Sequence, residues 1–186
     1  ELIVERLIKE FSDRENLRIL DIGTGSGNII ITLIKNLANA SGIALDVSKD
    51  ALKIARHNSQ LHGVQDDIDF IEMDILESYP AEKFDLIVSN PPYISDEKYA
   101  ELPAHIKEHE PEEALKPDSD VLIFYKRIDE IAPEILKNGG MLALEIGGTY
   151  QEDNVRNIFA INFQHIEVIK DYLEQSRGLL IDSRDE

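Results

Sequence analysis

Short β-branched and aliphatic runs alternate with amphipathic segments along the chain, the pattern of βα units built around a parallel sheet. Leu2, Ile3, Leu7, Ile8 and Phe11 recur at helical spacing and predict an opening helix. Residues 18–22 predict a first strand that runs into Gly23-Thr24-Gly25-Ser26-Gly27. Residues 28–37 predict a buried helix, although Ile29-Ile30-Ile31 is locally strand-like. A second strand follows over 42–47, and Ser48 is placed to cap a helix through about residue 61. Residues 68–73 and 84–89 predict the third and fourth strands, the fourth running into Asn90-Pro91-Pro92-Tyr93.

The segment 95–120 reads as irregular, interrupted by Pro103, Pro111 and Pro117. Residues 121–136 predict a helix that Pro133 disturbs, and Asn138-Gly139-Gly140 stops it before a strand over 141–146. A helix around 152–159 and two closing strands near 165–169 and 178–181 complete seven strands. No internal repeat, low-complexity linker or second core breaks the series, so residues 1–186 read as one domain.

Composition narrows the chemistry. With 186 residues and 42% apolar content, the chain can bury one ordinary core. It has no cysteine, which excludes disulfides, Cys-ligated zinc, iron–sulfur clusters and thiol catalysis. No apolar run approaches the ~18 residues of a membrane-spanning helix, and there is no secretory leader. The expected location is the cytoplasm. The net charge of −18 opposes a sequence-independent grip on nucleic acid, which needs Lys and Arg against phosphates. The first residue is Glu1 rather than Met, and the opening positions already read as helix, so further chain is expected upstream.

The glycine turn after the first strand lets a ligand approach the backbone closely. The dinucleotide fingerprint G-x-G-x-x-G would place glycine at position 28, where Asn28 stands, which disfavours a nicotinamide oxidoreductase. The spacing present is G-x-G-x-G, with Asp21 two residues ahead of it. Asp46 ends the second strand, where a carboxylate can accept from both hydroxyls of a ribose; otherwise it is a solvated loop acid. Asp74 follows the third strand. Three acids at the ends of three successive strands are hard to dismiss as solvated loop charges.

Asn90-Pro91-Pro92-Tyr93 is the most specific feature. Two prolines remove two backbone donors and fix two φ angles, which makes a rigid corner. A purely structural corner has no need of the flanking amide and aromatic ring.

These two motifs together resemble the class I S-adenosylmethionine (SAM) methyltransferases, and the tetrapeptide resembles the branch that methylates planar NH2 groups. The resemblance implies a Rossmann-like fold: a doubly wound, mostly parallel seven-stranded sheet with helices on both faces and an antiparallel C-terminal strand. It implies SAM as cofactor, with S-adenosylhomocysteine as product. Asp21 would supply negative charge to the cationic donor and its amino group, Asp46 would accept from the ribose hydroxyls, and Gly23, Thr24, Gly25, Gly27 and Val47 would belong to the same cofactor-binding set. Asp74 would accept from the adenine amino group, with Ile75 against the ring. Asn90 would contact both cofactor and substrate. With Pro91, Pro92 and Tyr93 it would form the catalytic set, accepting the two substrate N–H groups and stacking on the planar group.

Three further stretches resemble the HemK-type release factor glutamine methyltransferases. They are Glu110-Pro111-Glu112-Glu113-Ala114-Leu115, the segment from Asp120 through Tyr125 and Arg127 to Ile128, and the segment from Asn138 through Glu145 to Gly147. That resemblance implies methylation of a glutamine side chain in a peptide-chain release factor, by a monomer without metal. Two alternatives stay open: an amino methyltransferase acting on DNA, RNA or a free base, and a SAM-binding module without catalysis. The acidic segment 95–120, nine acids against three lysines, sides with a protein substrate. Residues 116–121 lack the family's glycines, and the family's helical N-terminal recognition domain is missing from the sequence.

Other candidates are weaker. His57, His62, His105, His109 and His165 show no metal-ligand spacing, and Ser26 and Ser89 have no evident base. Glu108, Glu112 and Glu113 read as solvated acids and Glu110 as the one with a possible role, while Tyr125 and Arg127 read as packing and surface.

Overall fold

The computed structural model describes residues 2–104, 107, 111–117 and 120–183. Its elements run α1 (Leu2–Glu10), β1 (Arg18–Ile22), α2 (Asn28–Asn36), β2 (Ser41–Asp46), α3 (Lys49–His62), β3 (Ile68–Glu72) and β4 (Phe84–Ser89). Then come α4 (Asp96–Glu101), α5 (Glu112–Leu115), α6 (Ile123–Ile135), β5 (Leu136–Glu145), α7 (Thr149–Phe159), β6 (His165–Lys170) and β7 (Ser176–Asp182).

The seven strands form one sheet in the order β3-β2-β1-β4-β5-β7-β6. Neighbours from β3 through β5 pair in parallel, and β7 runs antiparallel to both β5 and β6. The chain winds outward from β1 to β3, then returns to β4 on the other side of β1. The strand order therefore reverses between β1 and β4, and in open α/β sheets ligands bind at such a point, outside the carboxyl ends of the strands.

Alternation along the strands feeds two cores. Ile19 and Val88 pack on the face covered by α1, α2 and α3, with Leu7, Ile30, Leu33, Leu52 and Ala55. Leu20, Ile22 and Ile87 pack on the face covered by α6 and α7, with Ile128, Ile131, Val155 and Phe159. Ile29-Ile30-Ile31 is helical despite its branched side chains. Four residues of α2 (Ile30, Ile31, Leu33 and Ile34) are buried. Burial gives about 2 kcal/mol for each such side chain, against a helix-propensity cost of a few tenths.

Several boundaries differ from the sequence reading. Asn138-Gly139-Gly140 does not separate helix from strand, because α6 ends at Ile135 and β5 begins at the next residue. The glycines instead sit in a bulge. Phe84 pairs with Leu136 and Leu86 with Met141, and Gly139 adopts the left-handed φ of 72° that the extra residues require. Pro133 lies in the last turn of α6, so little helix follows to be broken. Segment 95–120 contains α4 and α5, drawn together by the Ile94 N–H donating to the Leu115 carbonyl at 3.0 Å. Strand β2 ends at Asp46, leaving Val47 beyond it.

Candidate functional site

The carboxyl edge carries, in spatial order, the ends of β3, β2, β1, β4 and β5. Asp74, Asp46, the glycine turn, Asn90 and Glu145 therefore lie in a row. Adjacent strands are about 4.8 Å apart, so Asp46 and Asn90 flank the β1 turn across roughly 10 Å.

The turn is built from both sides. The Thr24 N–H donates to the Leu45 carbonyl at 2.8 Å, and the Gly27 N–H to the Thr24 carbonyl at 2.9 Å. Gly23 and Gly25 have φ of 70° and 56°, and a side chain on either would meet nothing within 4 Å. Those two glycines face open space and satisfy a backbone conformation. Gly27 differs: a Cβ there would press on Ile31 and Ala55, so it closes α2 against α3. Asp46 holds the turn, its Oδ2 accepting from Gly25 N–H and its Oδ1 from Ser48 N–H, both at 2.8 Å. Asn58 of α3 adds a donor to the Ser26 carbonyl at 2.9 Å. Nothing in its helical sequence context announced that role.

Asp21 is 1% exposed. Its alternation with Leu20 and Ile22 turns it beneath the start of α2. Oδ2 accepts from the Thr24 hydroxyl at 2.7 Å, and the buried Oδ1 has no hydrogen-bond partner. Burial raises the carboxyl pKa to about 7; the Asp46 charge adds to the rise, while Thr24 and the Ile30 amide oppose it.

Asp74 turns the chain after β3, its Oδ1 accepting from Leu76 N–H at 2.9 Å. Ile75 is buried at 5% exposure, and its carbonyl accepts from Arg127 Nε at 2.9 Å. Arg127, read from sequence as surface, thus ties the β3 loop to α6. Val47 stands 66% exposed beside Asp46.

At the end of β4 the Ser89 hydroxyl donates to the Ile22 carbonyl at 2.8 Å, locking β4 to β1 just before the corner. Asn90 is exposed, Pro91 buried, and Pro92 and Tyr93 half-buried. The Asn90 amide side chain makes no hydrogen bond to any described residue, which is the state of a group presented outward. Burial and the nearby Glu145 charge raise the Tyr93 phenol above its ordinary range, so it stays protonated.

Near Tyr93 the structure gives contacts that the sequence reading, which took Tyr125 as packing, did not place. The buried Tyr125 hydroxyl donates to the Glu145 carbonyl at 2.8 Å. Gln151, also buried, accepts the Gly147 N–H at 2.9 Å, and its Nε2 has no partner. Gly147 has no room for a side chain, since the Tyr150 hydroxyl and the Tyr93 ring already occupy the space. Lys98 of α4 sits over the Tyr150 ring, joining the acidic segment to the start of α7. Glu110, Glu108, His105 and His109 lie outside the described residues. Among the described residues no group of three or more His, Asp or Glu side chains converges as a metal site would require.

A sheet of this order with its antiparallel seventh strand, a glycine turn after β1 and acids closing β2 and β3 defines a Rossmann-like methyltransferase fold. A SAM-dependent O-methyltransferase from Thermotoga maritima superposes with a TM-score of 0.72 at 16% identity, covering 98% of this chain and 65% of that one. The chain belongs to the methyltransferase small domain family, whose model matches residues 2–172. It is 42% identical to a release factor glutamine methyltransferase of Flavobacterium psychrophilum, over 99% of this chain and 66% of the relative. A protein of the same name from Bacteroides thetaiotaomicron is 41% identical, over 95% of this chain and 63% of the relative. The chain thus spans just under two thirds of the length of these relatives.

Proposed function

We propose that this chain transfers a methyl group from SAM to the side-chain nitrogen of a glutamine, in a peptide-chain release factor. The observation that carries the reading is the Asn90-Pro91-Pro92-Tyr93 corner. It presents an unpartnered amide beside the glycine turn, at the point where the strand order reverses. The names borne by the relatives supply the substrate.

The residues fit the cofactor. The unmatched Oδ1 of Asp21 suits a cationic ligand carrying an amino group, and the space over Gly23 and Gly25 admits it close to the backbone. Each Asp46 oxygen already accepts one backbone N–H and keeps lone-pair capacity for a ribose hydroxyl. Exposed Val47 offers an apolar surface next to it. When bound, SAM supplies an electrophilic methyl on a sulfonium.

The protein's task lies on the nitrogen. An amide lone pair is delocalised into its carbonyl, so the nitrogen is a weak nucleophile. The Asn90 side-chain oxygen and the Pro91 carbonyl would accept its two hydrogens, hold it in line and stabilise the positive charge that grows as it attacks; as the N–C bond forms the methyl's bond to sulfur breaks, leaving S-adenosylhomocysteine, and one of the two N–H protons is given up to solvent. Tyr93, kept neutral, covers the planar amide. The net charge of −18 speaks against a nucleic-acid amine as the substrate.

Asn90→Ala tests the assignment. Transfer to a release factor should fall at least 100-fold, while SAM affinity measured by calorimetry changes by less than about threefold. Retained turnover in that variant removes Asn90 from its role.

A further inference from the structure

A side-chain amide presents two N–H donors and a carbonyl oxygen. Asn90 and Pro91 account for the donors in the proposed reaction, and the oxygen needs a donor of its own once it leaves water. The groups that fit SAM occupy the ends of β1, β2 and β3, so that donor comes from the β4–β5 side of the row.

Tyr150 stands on that side. Ser89 pairs with Leu144, so the chain leaving β5 passes directly beside the Asn90 corner. Gly148, at a φ of 126°, then turns the backbone so that the first turn of α7 comes back over the end of β5. Tyr150 lies in that turn, with its hydroxyl against Gly147. A Cβ on Gly147 would meet this hydroxyl and also, at 2.9 Å, Cδ2 of the Tyr93 ring. The two tyrosines thus converge on one point, the phenol oxygen of Tyr150 at the ring edge of Tyr93. A planar group lying on Tyr93 sits about 3.5–4 Å above that ring, within hydrogen-bond reach of a hydroxyl at its edge.

The hydroxyl is available and its ring is held. Tyr150 is 53% exposed and makes no hydrogen bond through its hydroxyl to any described residue. Lys98 of α4 sits over the ring and fixes where the hydroxyl points. Neighbouring polar groups are already committed: the Tyr125 hydroxyl donates to the Glu145 carbonyl, and the buried Gln151 amide is fastened to the Gly147 N–H.

We propose that Tyr150 recognises the acceptor, its hydroxyl donating to the side-chain carbonyl oxygen of the target glutamine, with Lys98 as the residue that positions the ring. The inference rests on the glutamine-methylation reading. The chemistry then decides which kinetic constant Tyr150 serves. As the nitrogen lone pair becomes the new N–C bond it is withdrawn from the carbonyl, and the oxygen loses negative charge. The hydrogen bond from Tyr150 is then no stronger in the transition state than in the bound complex, so it acts on KM and not on kcat.

The test is steady-state kinetics of Tyr150→Phe with an unmodified release factor and SAM. Both Tyr150 and Lys98 are exposed, so folding is not at stake, and phenylalanine keeps the ring under Lys98. The KM for the release factor should rise about fivefold, with kcat within about 1.5-fold and the SAM dissociation constant within about twofold of the wild type. Lys98→Met, which keeps the stem and loses the charge, should raise KM about twofold in the wild type and add nothing in Tyr150→Phe, where no hydroxyl is left to aim. An unchanged KM in Tyr150→Phe overturns the assignment. So does a kcat that falls more than about threefold, which would put the hydroxyl to work in the transition state. Should the wild-type chain transfer no methyl to the release factor, the functional reading itself fails and Tyr150 loses its role with it. Wild-type transfer with a KM that Tyr150→Phe leaves unmoved refutes the role of Tyr150 alone.

Discussion

Asp21 lies buried beneath the glycine turn with one oxygen matched and one not, and burial raises its pKa to about 7. Two consequences follow at this residue. In the ligand-free protein its stabilising contribution is complete below the ordinary carboxylate range and is lost as pH rises toward about 7. Asp21→Asn should therefore raise the melting temperature at pH 8 more than at pH 5, as thermal scans at the two values can read. A cationic ligand favours the ionised form, so SAM binding should release a proton and tighten about tenfold from pH 6 to pH 8. Calorimetry in buffers of different ionisation enthalpy measures that proton, and an affinity indifferent to pH in the wild type contradicts the assignment.

Asp46 acts differently, because its oxygens fasten Gly25 and Ser48. Asp46→Ala should weaken SAM binding by more than tenfold and also destabilise the protein by about 1–3 kcal/mol, since two backbone donors lose their acceptor. An unchanged dissociation constant would rule out the ribose assignment. The positions of the motif acids were legible because each lies at or just past the carboxyl end of a strand. Asn58, Arg127 and Gln151 were not. Their partners are the carbonyls of Ser26 and Ile75 and the amide of Gly147, and only the folded chain brings the first two distant pairs together.

At the scale of elements, alternating apolar runs located all seven strands, because each inner strand is buried on both faces and keeps its side chains apolar. The errors fell where tertiary pairing overrides local signals. Asn138-Gly139-Gly140 has the composition of a helix stop, yet pairing of Leu136 with Phe84 extends β5 through it as a bulge. Gly139→Ala should cost about 1 kcal/mol, because the bulge needs a left-handed φ that alanine resists. The urea midpoint should fall at unchanged slope. Tyr125 shows the same limit. It reads as one more apolar position of a helix, but its hydroxyl reaches the end of β5 and fixes the strand beside Tyr93.

Across the whole molecule, the acidic balance and the row of groups at the carboxyl edge argue together. A surface of net charge −18 repels phosphate, while the Asn90 corner needs only a planar NH2 group, which glutamine and nucleobases share. On the proposed function, the charge favours a protein over a nucleic acid among the substrates that the corner alone cannot separate. No helix of the described residues is long and apolar enough to cross a membrane. The most direct test offers the chain SAM with an unmodified bacterial release factor and, separately, with single- and double-stranded oligonucleotides, followed by mass spectrometry. The account predicts one added methyl on a glutamine of the release factor, lost with Asn90→Ala, and none on nucleic acid. Methyl transfer to the oligonucleotides and not to the release factor would contradict it.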